Sequence, residues 1–445
     1  MTVNLDRKLE GNNVMNCDKC APGFNRRSFL RFSLAGAGGA VASSLPHKLL
    51  AQATQAKQSS GRTAKAVIML WMGGGPTQID TWDPKPNSKN AGDFKPIPTT
   101  GGPQMNFSEQ MKVCATQGKY MSVVRSMMTN EGSHERGTSL MHIGIQPVQG
   151  LEIPPTGTVV SFEKGRKDFP LPHFIAIDPP LIPQSATFGD DYMPFRLNNA
   201  DNPIPNIRRN GISADQDKAR AALLLDQNKE WDSKRQQKEV AKVEAAYVQS
   251  EDVMNTPLLK AFNYGEEPGE LRKQYGDRFG INCLLARRLV GAGVSFVEIG
   301  LGGWDMHADV FGNCKRMLPT LDAGMGTLIK DLAEKDMLKE TLVIWAGEFG
   351  RTPSINAGRG RDHHADGFSV VMAGGGLAGG RVYGNTGPNG DQCAQPVPIE
   401  NLFATMYAAC GIDGNKKYET EGRKIKYVSK NGAVSTQGTV IKELF

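Results

Sequence analysis

The chain has 445 residues, of which 39% are hydrophobic and 7% aromatic, with a formal net charge of +6. These proportions are ordinary for a soluble α/β protein. Much of the charge sits in residues 1–53, where seven Lys or Arg face three Asp or Glu for a net of +4, and the remaining +2 offers no basic patch for nucleic acid.

In chain order, the first signal is Arg26-Arg27, followed by an apolar, Gly- and Ala-rich run from Phe32 to Leu45 and then by Leu49-Leu50-Ala51-Gln52-Ala53. Paired arginines ahead of a weakly apolar run and a small-x-small cleavage pattern predict a twin-arginine signal over residues 1–53. Such a signal is read by the twin-arginine export machinery and leads to the periplasm. The run is too short and too glycine-rich to persist as a membrane-spanning helix. Residues 54–64 read as a polar linker and 65–445 as one folded domain. Cys17 and Cys20 leave with the signal. The five remaining cysteines lack the close spacing of a zinc–thiolate knuckle, and an oxidising compartment permits a disulfide whose pairing the sequence does not choose.

Lys65–Met72 is a near-continuous apolar strand of the kind a parallel sheet buries on both faces. Gly73-Gly74-Gly75 then turns the chain toward Asp80 and Asp83. Pro84–Pro103 reads as an irregular excursion and Met121–Met127 as a second strand. Beyond it, His134 lies in a polar turn and is a candidate for chemistry, whereas His142, between Met141 and Ile143, reads as core-packed. Pro170–Asp178 predicts a strand, Pro179–Asn206 a long irregular loop, and about 213–254 a charged helix or helical pair without chemistry. Phe279–Leu289 predicts a helix closed by Gly291 and Gly293, Val294–Gly300 a buried strand, Leu321–Leu338 an amphipathic helix and Glu400–Gly411 a closing one.

Two stretches concentrate chemistry. Leu301-Gly302-Gly303-Trp304-Asp305-Met306-His307 follows a strand and puts an acid and an imidazole just outside its end. Thr341–Gly376 is denser: a buried strand Thr341–Ala346, a turn with Glu348 and Arg351, a loop with Asp362, His363, His364 and Asp366, and a second strand Phe368–Ala373. Ligands collect outside the carboxyl ends of strands in such sheets, and mixed oxygen and nitrogen donors suit a divalent ion.

The motifs GGGPTQIDTWDPKP, GGWDMH, GEFGRTP and GRDHHADGFSVVMAGGG resemble, in the same order, those of the exported bacterial proteins grouped as domain of unknown function 1501, relatives of the alkaline phosphatase and sulfatase superfamily. The resemblance implies a largely parallel sheet sandwiched between helices, with a divalent-metal site at the strand ends and a small-molecule or glycan ester of phosphate or sulfate as substrate. Carried over by motif, it implies metal ligands among Asp305, His307, Glu348, Asp362, His363 and His364, with Asp80 as a substitute acid after the first strand. Superfamily enzymes place a nucleophile ten residues before a glycine; counting back from Gly144 lands on His134, as nucleophile or as ligand. Arg351 is expected to stabilise charge on the transferring group. Where the superfamily has an Asp-His pair this chain has Glu348-Phe349. The exchange of imidazole for carboxylate would shift metal preference from Zn toward Mn, Mg or Ca. Glu348 otherwise pairs with Arg351 and braces the turn. A fold that has lost hydrolysis and serves as an envelope binding or structural protein is the alternative.

Overall fold

The computed structural model describes residues 63–145, 150–183, 185, 187–198, 200, 201, 203, 204, 211–235, 253–428 and 438–445. The expected export signal lies outside them, as does the second half of the charged helical segment.

The organising element is a nine-stranded sheet. Its centre is β1 (Ala66–Trp71), buried at every position. No residue alternates outward because the strand is covered on both faces, which is why its sequence is apolar without a period of two. Each fully buried Val, Leu or Ile there contributes about 1.5–3 kcal/mol relative to exposure. In chain order the other strands are β2 (Pro96–Thr99), β3 (Gly102–Ser108), β4 (Met121–Met128), β5 (Phe174–Ile177), β6 (Phe195–Leu197), β7 (Phe296–Gly300) and β8 (Thr341–Ala346). They continue as β9 (Gly350–Arg351), β10 (His363–His364), β11 (Asp366–Gly374), β12 (Arg381–Tyr383) and β13 (Val397–Pro398). The large sheet runs β12-β4-β11-β8-β1-β7-β5-β6, with β13 beside β4. β8, β1, β7, β5 and β6 are mutually parallel, and β11 runs antiparallel to both β4 and β8. The fold is α/β with a largely parallel sheet, as expected.

The helices that matter most are α1 (Lys112–Thr116), α2 (His134–Ile143), α3 (Thr156–Lys164), α4 (Ala214–Arg235), α5 (Gly269–Tyr275), α6 (Arg278–Ala292), α7 (Val310–Glu334) and α8 (Ile399–Ala409). They enclose two buried clusters. One joins the faces of β1, β5 and β7 to α6 and α7; the other joins the opposite faces to α2, α3 and α8. Among the described residues no helix is long and apolar enough to cross a membrane.

Several elements differ from the sequence expectations. Pro84–Pro103 is not wholly irregular, because β2 and β3 pair as an antiparallel ribbon; Pro96 and Pro98 mask the strand in the sequence yet are tolerated in this small two-stranded pairing. Helix α7 starts eleven residues before Leu321 and contains Pro319. Its start is fixed by Asp309, whose side chain accepts from the Gly312 N–H at 3.2 Å. Gly291 lies inside α6, and the left-handed cap is Gly293 alone, at φ 108°. β6 falls within the stretch expected to be loop. Cys114, Cys283, Cys314, Cys393 and Cys410 are all free thiols.

Candidate metal centre

At the carboxyl edge of the parallel strands, four chain segments converge, and the β10 segment joins them with Asp362 and His363. The β1 end supplies the Gly73–Gly75 turn, the β7 end supplies Asp305 and His307, the β8 end supplies Glu348, Phe349 and Arg351, and the segment after β4 supplies His134 as the first residue of α2. Gly74 has φ +115°, and a Cβ there would lie 2.4 Å from the Asp305 backbone nitrogen. Only glycine lets the first strand end approach the Asp305 loop this closely.

Three histidines point one ring nitrogen at a single oxygen. His134 Nε2 is 3.4 Å, His307 Nε2 3.1 Å and His363 Nε2 3.2 Å from Asp305 Oδ1. The opposite nitrogen of each ring is held. His134 Nδ1 lies 2.6 Å from Glu348 Oε1, His307 Nδ1 2.8 Å from Asp362 Oδ1, and His363 Nδ1 2.8 Å from the Gly132 carbonyl oxygen. A carbonyl only accepts, so His363 carries its proton on Nδ1, and the two carboxylates favour the same tautomer in their partners. In the neutral rings all three Nε2 lone pairs then face inward. This is the arrangement in which a carboxylate or carbonyl behind each imidazole orients a metal ligand.

The donor set fits a cation. Donor atoms of His134, Asp305 and His363 all lie within 4.8 Å of one another. His134 Nε2 is buried with no hydrogen-bond partner, and His307 Nε2 and His363 Nε2 are only 3.0 Å apart. Two lone pairs at that distance repel unless a proton or a cation sits between them. Ligand atoms on a tetrahedral ion with bonds of about 2.0 Å stand roughly 3.3 Å apart, close to the distances from Asp305 Oδ1 to the three Nε2 atoms. Burial pushes the Asp305 carboxyl upward, but the hydrogen bond and the charge of Arg351 pull it below its ordinary range, so it is anionic at neutral pH.

Arg351 does not face a transferring group. Its side chain is fully buried, and it donates to the carbonyls of Gly74, Gly75 and Arg361 and to Asp305 Oδ1, the last at 2.5 Å. Glu348 does not pair with Arg351 either. Its Oε1 accepts from the Gly74 N–H at 2.8 Å as well as holding His134. Phe349 packs against the rings of His134 and His363, at 5.0 and 4.7 Å between centroids, and walls that side. Asp80 is not brought to the cluster: it is buried and held by Arg361 at 2.8 Å and Thr77 at 2.8 Å. Asp362 stands behind His307, whose hydrogen bond lowers the Asp362 carboxyl below its ordinary range. His364 neighbours His363 on β10, and successive strand residues point to opposite faces. Burial holds its pKa down, and no hydrogen bond ties it to the cluster.

The cluster lies at one side of an open cleft of about 530 Å³, lined among others by Trp71, His134, Thr138, Leu181 and Asp305. The feature that sequence reasoning missed is the Gly132 carbonyl, which carries no side-chain signal. The pairing of Glu348 with His134 spans 214 positions and has no local signature.

No curated protein matches the chain. Among solved structures, it is similar to Ps i-CgsB in complex with k-i-k-neocarrahexaose, at 10% identity and a TM-score of 0.34, covering 79% of this chain and 72% of that one. A variant of the TAB5 alkaline phosphatase with Mg bound in its M3 site is 11% identical with a TM-score of 0.33, covering 79% of this chain and 99% of that one. The alkaline phosphatase from the Antarctic bacterium TAB5 is 12% identical with a TM-score of 0.31, covering 78% and 99% respectively. Likeness at this level carries no argument about the site. The family described as protein of unknown function DUF1501 matches residues 64–439, which hold all of the centre just described, and the chain belongs to that family.

Proposed function

We propose that this chain is an exported, divalent-metal-dependent hydrolase of phosphate or sulfate esters. The observation that supports the reading is the convergence of three imidazole Nε2 atoms on Asp305 Oδ1 beside an open cleft. His134, Asp305, His307 and His363 would hold the ion, which when bound polarises the ester oxygen and lowers the pKa of the attacking water. Glu348, Asp362 and the Gly132 carbonyl fix ring tautomer and direction. Arg351 fixes Asp305 and keeps it anionic. In the reaction, water oxygen bonds to phosphorus or sulfur, the bond to the ester oxygen breaks, and the alcohol leaves with a proton from that water. With three nitrogens and one oxygen, the donors favour Zn or another transition ion over Mg and Ca, because Glu348 stands behind an imidazole instead of replacing one.

The burial of Arg351 favours a second reading, a binding protein of the envelope, since that guanidinium is engaged by protein carbonyls and Asp305 and does not meet a transferring group. One experiment separates the two. Metal content of the purified mature chain is measured, followed by assays on generic phosphate and sulfate monoesters before and after chelation. Bound metal with chelator-sensitive hydrolysis supports the hydrolase; bound metal without hydrolysis supports the binding protein; failure to retain any of Zn, Mn, Mg or Ca overturns both the centre and the hydrolase.

A further inference from the structure

We infer that the cleft takes an ester whose alcohol part is apolar, an aryl or alkyl group, and not a sugar of a polyanionic glycan. The inference rests on the proposed hydrolysis for the reacting group and on the cleft wall for the rest of the substrate. Facing the metal centre is the segment Pro179-Pro180-Leu181-Ile182-Pro183, which follows the β5 end. Pro180, Leu181, Ile182 and Pro183 all line the cleft, with Trp71. Leu181 is 84% exposed, the most exposed large apolar side chain among the described residues. Leu181 stands with the half-buried Pro180 and Pro183 on one wall of the cleft, so the polar cluster has an apolar neighbour within the same cavity.

Two features keep this ridge in place. Its three prolines fix φ, and Arg196 on β6 donates from beneath to the carbonyls of Pro180 and Ile182, both at 3.3 Å. A wall already ordered loses little entropy when an apolar group settles on it.

Charge argues the same way. The charged residues among the described lining are Glu135, Asp305 and Glu348, all acidic. A substrate bearing further sulfates or phosphates would meet no described Lys or Arg there and would be repelled by Glu135. A monoester with one anionic head at the centre and an uncharged apolar body meets neither obstacle.

The test is calorimetric titration of the metal-loaded protein with phenylphosphonate and with methylphosphonate, neither of which is an ester. The pair differs only in the apolar group. The phenyl compound is expected to bind about tenfold more tightly, and Leu181→Ser to remove most of that ratio. Leu181 is exposed, so the substitution leaves the fold intact. Equal affinities, failure of both to bind, or an unchanged ratio in Leu181→Ser overturns the inference. A retained ratio in a protein that hydrolyses no ester overturns the proposed function while the apolar subsite stands.

Discussion

Glu348 Oε1 lies 2.6 Å from His134 Nδ1, joining the end of β8 to the start of α2 across 214 positions. The carboxylate is buried while the ring is partly open, so orientation flows from the sheet to the histidine. Glu348→Gln is expected to weaken metal binding by about 10–100-fold, the usual cost of losing the group behind an imidazole ligand. Metal titration and melting temperature on the same variant check this. An unchanged affinity removes Glu348 from the site.

His363 and His364 are neighbours with opposite assignments. His363→Ala is expected to abolish stoichiometric metal, and His364→Ala to leave it intact. Metal analysis of the two purified variants reads the difference directly. Equal loss in both would mean that β10 as a whole, and not one ring, holds the centre.

Asp80 forms a buried pair with Arg361 at 2.8 Å, and neither side chain is more than 1% exposed. Removing one partner leaves the other charge uncompensated, which costs about 3–5 kcal/mol. Asp80→Asn should therefore lower stability by about that amount, since the amide retains shape but not charge. Metal stoichiometry of the folded fraction should stay unchanged. Denaturant titration with metal analysis is the check, and metal loss without destabilisation would return Asp80 to the ligand set.

His142 and Glu298 give a pH dependence outside the ligand set. They lie 2.9 Å apart, both buried, with Trp71 against the imidazole at 4.4 Å. Burial disfavours the imidazolium, but the Glu298 charge and hydrogen bond, the Thr138 carbonyl and the Glu348 charge outweigh it and raise the His142 pKa. A histidine raised on folding adds stability that is fully present below its unfolded pKa of about 6.5 and is lost as pH rises through the folded value. Unfolding free energy measured from acid to alkaline pH should fall across that window, and His142→Gln should flatten the fall. Parallel curves for the two proteins would remove the pair as the cause.

Export is expected to depend on Arg26 and Arg27. Replacing both with Lys should leave the uncleaved precursor in the cytoplasm, followed by fractionation and immunoblot. Normal periplasmic appearance of that variant excludes the twin-arginine route.

What the sequence carried was whatever has a local period or a fixed spacing. β8 spans Thr341–Ala346 as read, and β1 and β4 differ by a residue at their ends, because unbroken apolar runs between turn residues have few other uses. The meeting of His307 and His363 followed from both lying at strand ends on one edge, and their Nε2 atoms stand 3.0 Å apart. The partners of charged residues were not legible. Arg351 looked available for a substrate because nothing nearby in sequence showed that Gly74, Gly75 and Asp305 would enclose it. Asp80 looked like a ligand because Arg361 lies 281 positions away. Pro319 and the prolines of β2 argued locally against elements that tertiary packing nevertheless supports.

Arg351 has one more consequence. It ties backbone carbonyls after β1 and the carboxylate after β7 into a frame made wholly of protein atoms. Because none of its links runs through an ion, the frame is expected to survive removal of the metal, unlike small metal-folded domains in which binding and folding are one event. Stripping and reloading thus become bench operations on a folded molecule. A single preparation can be carried through a series of different cations without refolding, and the rise in melting temperature on each reloading should follow mass action from that cation's affinity alone.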